Sequence, residues 1–235
     1  MPPPDPSEAA PIVLSVGGSV LVTGEDDAGY LARLAEMIRD VARARPLLVT
    51  VGGGRTAREY IHLGRELGLT EVELDEIGID VTRLHARLLA ARVGPPAPAV
   101  PPTTIARAVH EAHRVSPVIL GGTEPGHTTD GVAALLAGRL RAERLVNATN
   151  VDGLYERDPR RDPTARRVDR IGWAEFRALV SAGTDGRAGQ EFLFDRLGAE
   201  TLARAGIPLL MVHGRDLQNL RSALEGRAFT GTRIG

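Results

Sequence analysis

Five short apolar runs, PIVLSV, PLLVTV, VSPVIL, RLVNATNV and IPLLMVHG, are spaced along the chain, with segments of helical apolar periodicity between them. None shows the strict apolar–polar alternation of a strand with one wet face. A strand that is apolar on both sides must be covered on both sides, which predicts an α/β fold with a mainly parallel sheet between layers of helices. In such sheets ligands sit beyond the carboxyl ends of the strands. The chain concentrates its small residues at those ends. PIVLSV runs into GGS (Gly17, Gly18, Ser19), PLLVTV into GGG (Gly52 to Gly54), VSPVIL into GGTEPGHTTDG (Gly121 to Gly131), and RLVNATNV into DG. Four strand ends are thereby predicted to converge on one rim.

The intervening helices are expected in YLARLAEMIRDVARAR, TAREYIHLGREL, LDEIGIDVTRLHARLLAARV (softly broken at Gly78), IARAVHEAHR, WAEFRALVSA, FLFDRLGAETLARAG and RDLQNLRSALEG, with FTGTRIG as a terminal edge strand. GPPAPAVPP reads as a connector, and DGLYERDPRRDPTARRVDRI as a loop. The first eleven residues, MPPPDPSEAAP, hold five prolines and are expected to be a disordered tail, leaving residues 12–235 as one domain. A chain of 235 residues can bury a full core. A net charge of −1 gives no reason to expect a nucleic-acid partner. No apolar run approaches the length of a membrane span, and the N-terminus lacks a secretory pattern, so a soluble cytoplasmic protein without a membrane partner is expected.

Cysteine is absent, which excludes a disulfide scaffold, a thiolate metal site and a cysteine nucleophile. All 29 Lys-plus-Arg positions are arginine. Coding bias accounts for this, because Ala, Gly and Pro are also abundant, but it closes any mechanism that requires a lysine ammonium.

Glycine clusters let backbone N–H groups approach an anion, and helix N-termini add a favourable partial charge. GGS and GGG thus read as two phosphate-facing loops, although either alone could be a tight turn. No Walker loop and no dinucleotide fingerprint occur. In the third loop Thr123, Thr128 and Thr129 can donate to phosphate or sugar oxygens, and Asp130 falls at or just inside the next helix. One of Thr128 and Thr129 could simply cap that helix. Arg55 and Arg58 follow GGG and are either solvated or placed to meet a phosphate. Asp152 is either a turn residue or a site carboxylate able to orient cations or hold Mg²⁺. The histidines are scattered, without a third ligand beside His110 and His113, so no protein-built metal cluster is expected and the six are read as surface or packing residues.

The segments GGSVL, GGGRTAREYI, LDEIGIDVTRLHARLL, GGTEPGHTTDGVAALLA, NATNVDGLYERDPRRDP and the GT-containing terminal strand, in this order, resemble the archaeal-type uridylate kinases of the amino acid kinase superfamily. The resemblance implies a three-layer αβα sandwich, the amino acid kinase fold, that transfers the γ-phosphoryl of ATP to UMP with Mg²⁺, in a homohexamer. It places the UMP side in the N-terminal part of the domain and the ATP side in the C-terminal part. By motif, Gly18 and Ser19 would face the ATP phosphates, and Gly54 and Arg58 would also contact ATP. Gly53 would touch the UMP phosphate and Asp75 the UMP ribose. The loop Thr123, Glu124, Pro125, Gly126, His127, Thr128, Thr129 and Asp130 would wrap UMP. Thr149, Asn150, Tyr155 and Asp158 would frame the ATP nucleoside. Asp152 matches the aspartate that organises catalytic groups, so Asp152, Arg58 and Gly18 form the implied catalytic set. Two departures stand out: Arg55 follows GGG where relatives have lysine, and DRLGAE puts Arg196 and Glu200 where they have proline and lysine. The resemblance therefore leaves room for a nucleotide-binding relative of the molybdenum storage type, or for a kinase of another small acceptor.

Overall fold

The structure is a computed structural model that describes residues 9–156, 164–182 and 194–235. Its elements run β1 (Ile12–Val16), α1 (Gly18–Leu21), α2 (Asp27–Ala44), β2 (Leu47–Val51), α3 (Gly54–Glu66), α4 (Glu71–Val93), α5 (Ile105–Ala112), β3 (Val118–Leu120) and α6 (Thr129–Leu140). They continue through β4 (Arg144–Thr149), β5 (Leu154–Tyr155), β6 (Arg167–Val168), β7 (Arg170–Ile171), α7 (Trp173–Ala182), α8 (Arg196–Ala205), β8 (Leu209–His213), α9 (Leu217–Leu224) and β9 (Thr232–Ile234). Ala10 and Pro11, which the sequence assigns to the tail, are hydrogen-bonded: their carbonyls accept from Arg45 and from the Glu143 N–H.

Seven strands form one sheet in the order β3-β2-β1-β4-β8-β9-β7. The five apolar runs pair in parallel, with Ile12 opposite both Leu47 and Arg144. The period of two along each strand divides the core between the faces. Ile12, Leu14 and Val16 pack with α2, the C-terminal half of α4 and α9, whereas Val13, Leu48 and Leu145 pack with α5, α6, α7 and α8. Both faces are dry, as continuous apolar strands require.

Three expectations are corrected. β9 is not an edge strand, because it pairs antiparallel with β8 and parallel with β7, which takes the edge. Its Thr232 and Ile234 are fully buried, and the partner is a two-residue strand too short to announce itself in sequence. The segment read as one loop also contains β5 and β6, an antiparallel pair. Finally, α4 is not broken at Gly78. It starts at Glu71, where Thr70 and Glu73 form a reciprocal capping box, and runs through Gly78, whose missing side chain admits Ile61 of α3.

Candidate active site at the strand ends

The parallel strands β1, β2, β3 and β4 all end at one rim, and the loops that leave them meet there. GGS and GGG are in direct backbone contact. A Cβ on Gly18 would lie 2.1 Å from the Gly54 nitrogen, and one on Gly52 would lie 2.7 Å from the Gly18 nitrogen. Gly54 also has φ +59°, a conformation that side chains resist. No other residue type allows these two loops to touch. Gly53 is the N-cap of α3, so the first-turn N–H groups of Gly54, Arg55 and Thr56 have no acceptor within the helix. Together with the positive end of a 13-residue helix they suit an anion. Gly18 and Ser19 open α1, the single turn facing them.

Below the rim lies a row of polar residues that the sequence reading missed. Ser15, Thr50 and Asn147 occupy the same level of adjacent strands, paired Ser15 with Thr50 and Ser15 with Asn147, and each is buried. They face α6, on the side where the strands otherwise show Val13, Leu48 and Leu145. The signal was present, since IVLSV, LLVTV and RLVNAT each hold one polar residue at the matching position. Only the register reveals that the three line up. Asp130 reaches down to this row, accepting from the Ser15 hydroxyl at 2.6 Å. Burial pushes the Asp130 carboxyl up; Ser15 and Asn147 oppose this, Asp195 adds to it, and the result is about 6.

Thr128 is the residue that caps α6: its hydroxyl accepts from Gly131 N at 3.0 Å and donates to Asp195 at 2.9 Å. Asp195 in turn caps α8 through Gly198 N at 2.6 Å, so one pair starts two helices. Thr129 is left over from capping, and its hydroxyl lies beside Gly52, 3.4 Å from where a Cβ would stand. In the same loop Thr123 Oγ1 is buried without a hydrogen-bond partner. His127 Nδ1 lies 3.3 Å from Glu124 without a hydrogen bond. Pro125 and Gly126 are exposed, and Gly126 N donates to Asp75 at 2.8 Å. Asp75 is on α4, as are Thr82, Arg83 and His85. Of these, His85 is a buried packing residue, with Nδ1 2.9 Å from the Gly52 carbonyl.

At the end of β4, Thr149 and Asn150 are joined through their side chains at 3.3 Å. Asp152 accepts from the Tyr155 hydroxyl at 2.8 Å and from Arg167 at 3.3 Å. Burial would raise its carboxyl, but these hydrogen bonds outweigh burial and hold it below the usual range. Thr232 of β9 anchors the loop. Its hydroxyl accepts from Leu154 N at 2.7 Å, and Gly153 packs against it where a Cβ would overlap. Asp158 lies outside the described residues. Arg55 is exposed and pairs with Glu59 at 3.4 Å, while Arg58 is half-buried on the same helix. Glu200, the reversed charge, is one rung of an α8 ladder, 3.7 Å from both Arg196 and Arg204.

A sequence profile of the amino acid kinase family matches residues 10–213. A protein named uridylate kinase from Methanothermobacter thermautotrophicus is 40% identical over 219 residues, 93% of this chain and 97% of its own. Another of that name, from Thermoplasma volcanium, is 43% identical over 223 residues, covering 95% and 96% of the two chains. Among solved structures, the uridylate kinase from Archaeoglobus fulgidus superposes with a TM-score of 0.84 at 39% identity, covering 95% of this chain and 99% of its own.

Proposed function

Since the chain belongs to the amino acid kinase family, in its uridylate kinase branch, we propose that it is a UMP kinase, transferring the γ-phosphoryl of ATP to UMP to give UDP. One observation carries the reading. Two glycine loops at neighbouring strand ends are in backbone contact, Gly18 against Gly54, so two anions can be received side by side. Phosphoryl transfer asks for alignment and charge neutralisation more than for covalent chemistry.

In this reading Gly18, Ser19, Gly54 and Arg58 receive the ATP phosphates, and Thr149, Asn150 and Tyr155 frame its nucleoside. Gly53 meets the UMP phosphate. The loop from Thr123 to Asp130 wraps UMP, with the unpartnered Thr123 hydroxyl and the Asp75 carboxylate as its polar contacts. The UMP phosphate is already ionised, so no general base is required. No group of three or more His, Cys, Asp or Glu is arranged to hold a metal among the described residues. Mg²⁺ is carried on nucleotide phosphates and met by one or two carboxylates. Asp152 at the end of β4 and Asp130 below the rim are carboxylates that could meet the ion, which would neutralise phosphate charge. Asp152, pinned by Tyr155 and Arg167, orders the groups around it.

We assign residues 12–235 to a single domain, with UMP on its N-terminal side and ATP on its C-terminal side, acting in pyrimidine nucleotide synthesis in the cytoplasm. Among the described residues no helix is long and apolar enough to cross a membrane. A homo-oligomer, as a hexamer, fits the exposed apolar side chains of α3 and α4, Tyr60, Leu63, Leu84 and Leu88, with Leu67 just after α3. The test is ATP turnover with Mg²⁺ against UMP, CMP, acetylglutamate and carbamate. ADP release that depends on UMP is expected; turnover only with another acceptor, or with none, overturns the assignment.

A further inference from the structure

We infer that α4 sets the spacing between the two loops that meet UMP, with His85 and Thr82 as its positioning residues. This deepens, and rests on, the UMP kinase reading. Both side chains are buried, 5% and 7% exposed, and they sit three residues apart on one face of the helix. Buried polar groups are unfavourable unless hydrogen-bonded. Here each bonds to the backbone of a different loop.

His85 Nδ1 lies 2.9 Å from the carbonyl of Gly52. A carbonyl only accepts, so Nδ1 carries the proton and donates. The peptide unit is planar and trans, so fixing the Gly52 carbonyl toward α4 turns the Gly53 N–H the opposite way. His85 thereby fixes the direction of a donor assigned to the UMP phosphate. Thr82 donates to Ile79 O at 2.6 Å, which leaves its lone pairs for Gly122 N, also at 2.6 Å. Arg83 donates to the carbonyls of Gly122 at 3.3 Å and Thr123 at 3.0 Å. Asp75, two turns earlier, accepts from Gly126.

The sheet cannot supply this spacing. The β2–β3 ladder ends at the pair Thr50 and Leu120, before either loop begins. Gly52 stays tied to β1, through Val16 O at 2.9 Å. The loop after Leu120 is seated on the helix instead. A Cβ on Gly121 would lie 2.6 Å from the Thr82 backbone. One helix therefore grips both loops, and its rigidity fixes their separation.

The test pairs a deleting with a conserving substitution at each position. His85→Leu removes the donor, while His85→Asn places an amide nitrogen where the imidazole Nδ1 stands. Thr82→Val removes the acceptor, and Thr82→Ser keeps it. Steady-state kinetics on folded protein and amide hydrogen exchange are the readouts. For His85→Leu we expect kcat/KM for UMP to fall about tenfold to a hundredfold, the scale of a misplaced reacting group, and Asn to restore most of it. For Thr82→Val we expect a raised UMP KM, an unchanged ATP KM and faster exchange at Gly122, all reversed by Ser. Wild-type constants in the deleting variants, or equal damage from deleting and conserving ones, overturn the inference. If His85→Leu does not fold, the Thr82 pair decides by the same criteria. If the wild type itself shows no UMP-dependent turnover, the kinase reading fails separately, and exchange at Gly53 and Gly122 still judges the clamp.

Discussion

Asp130→Asn should make the protein more stable and less active, with a pH dependence that identifies the cause. Burial, together with Asp195, raises the Asp130 carboxyl from 3.8 to about 6 against the help of Ser15 and Asn147. A carboxyl with a raised folded pKa binds its proton more tightly folded than unfolded. Stability is then fullest below about pH 4, falls as pH rises through about 6, and stays reduced above it. A shift of about two units corresponds to roughly 3 kcal/mol at ~1.4 kcal/mol per unit. Because Asp130 is only partly covered, solvent screening reduces the expected figure to about 1–2 kcal/mol. Asparagine keeps the shape, accepts from Ser15 and can donate toward Asp195. At about 2–4 °C per kcal/mol for a chain this long, the variant should melt several degrees above wild type at pH 8. At pH 4.5 the folded carboxyl is protonated but most of the unfolded one is ionised, so the gap should narrow to roughly a third. Thermal unfolding by circular dichroism at both pH values is the assay. A variant that melts below wild type at pH 8, or by the same margin at both pH values, refutes the reasoning.

Thr50→Val should be neutral or stabilising by about 1 kcal/mol in denaturant titration, because the Thr50 hydroxyl is buried without a partner and its removal relieves an unsatisfied group. Arg215→Lys should lower the melting temperature by several degrees. Its guanidinium donates to Val20 O, Glu25 O, Thr23 and Asp27 and lies 4.4 Å over the Tyr30 ring, a set no single ammonium can reproduce. Gly18→Ala should lose at least about a hundredfold in turnover, since its Cβ would enter the Gly54 backbone and drive the two loops apart. Because the chain has no lysine, acetylation with an amine-reactive ester should leave activity intact. Phenylglyoxal, which attacks guanidinium groups, should abolish activity, and ATP should protect.

The strands that carry the site were legible because each is apolar on both faces, and the loops because glycine and threonine mark them. The sequence pattern shows which strand ends are glycine-rich, and a parallel sheet brings such ends to one rim. What stayed hidden depends on register and on partners distant in the chain. Ser15, Thr50 and Asn147 look like isolated polar residues until β1, β2 and β4 are set side by side. His85 reads as one of several scattered histidines until α4 is laid against Gly52. Thr232 gains its meaning from Gly153, 79 positions away in sequence but in contact in the fold. β9 was misplaced at the edge because β7 has only two residues. Glu200 was legible as a reversed charge, but its partners Arg196 and Arg204 follow only from the helix that brings them within reach.

The most direct measurement of the central claim follows the phosphoryl group itself. ATP labelled with ³²P at the γ position is incubated with this protein, UMP and Mg²⁺, and the products are separated. The account predicts label in the β-phosphate of UDP, formed in step with ADP. Label recovered only in inorganic phosphate, or remaining in ATP at high protein concentration, would contradict it.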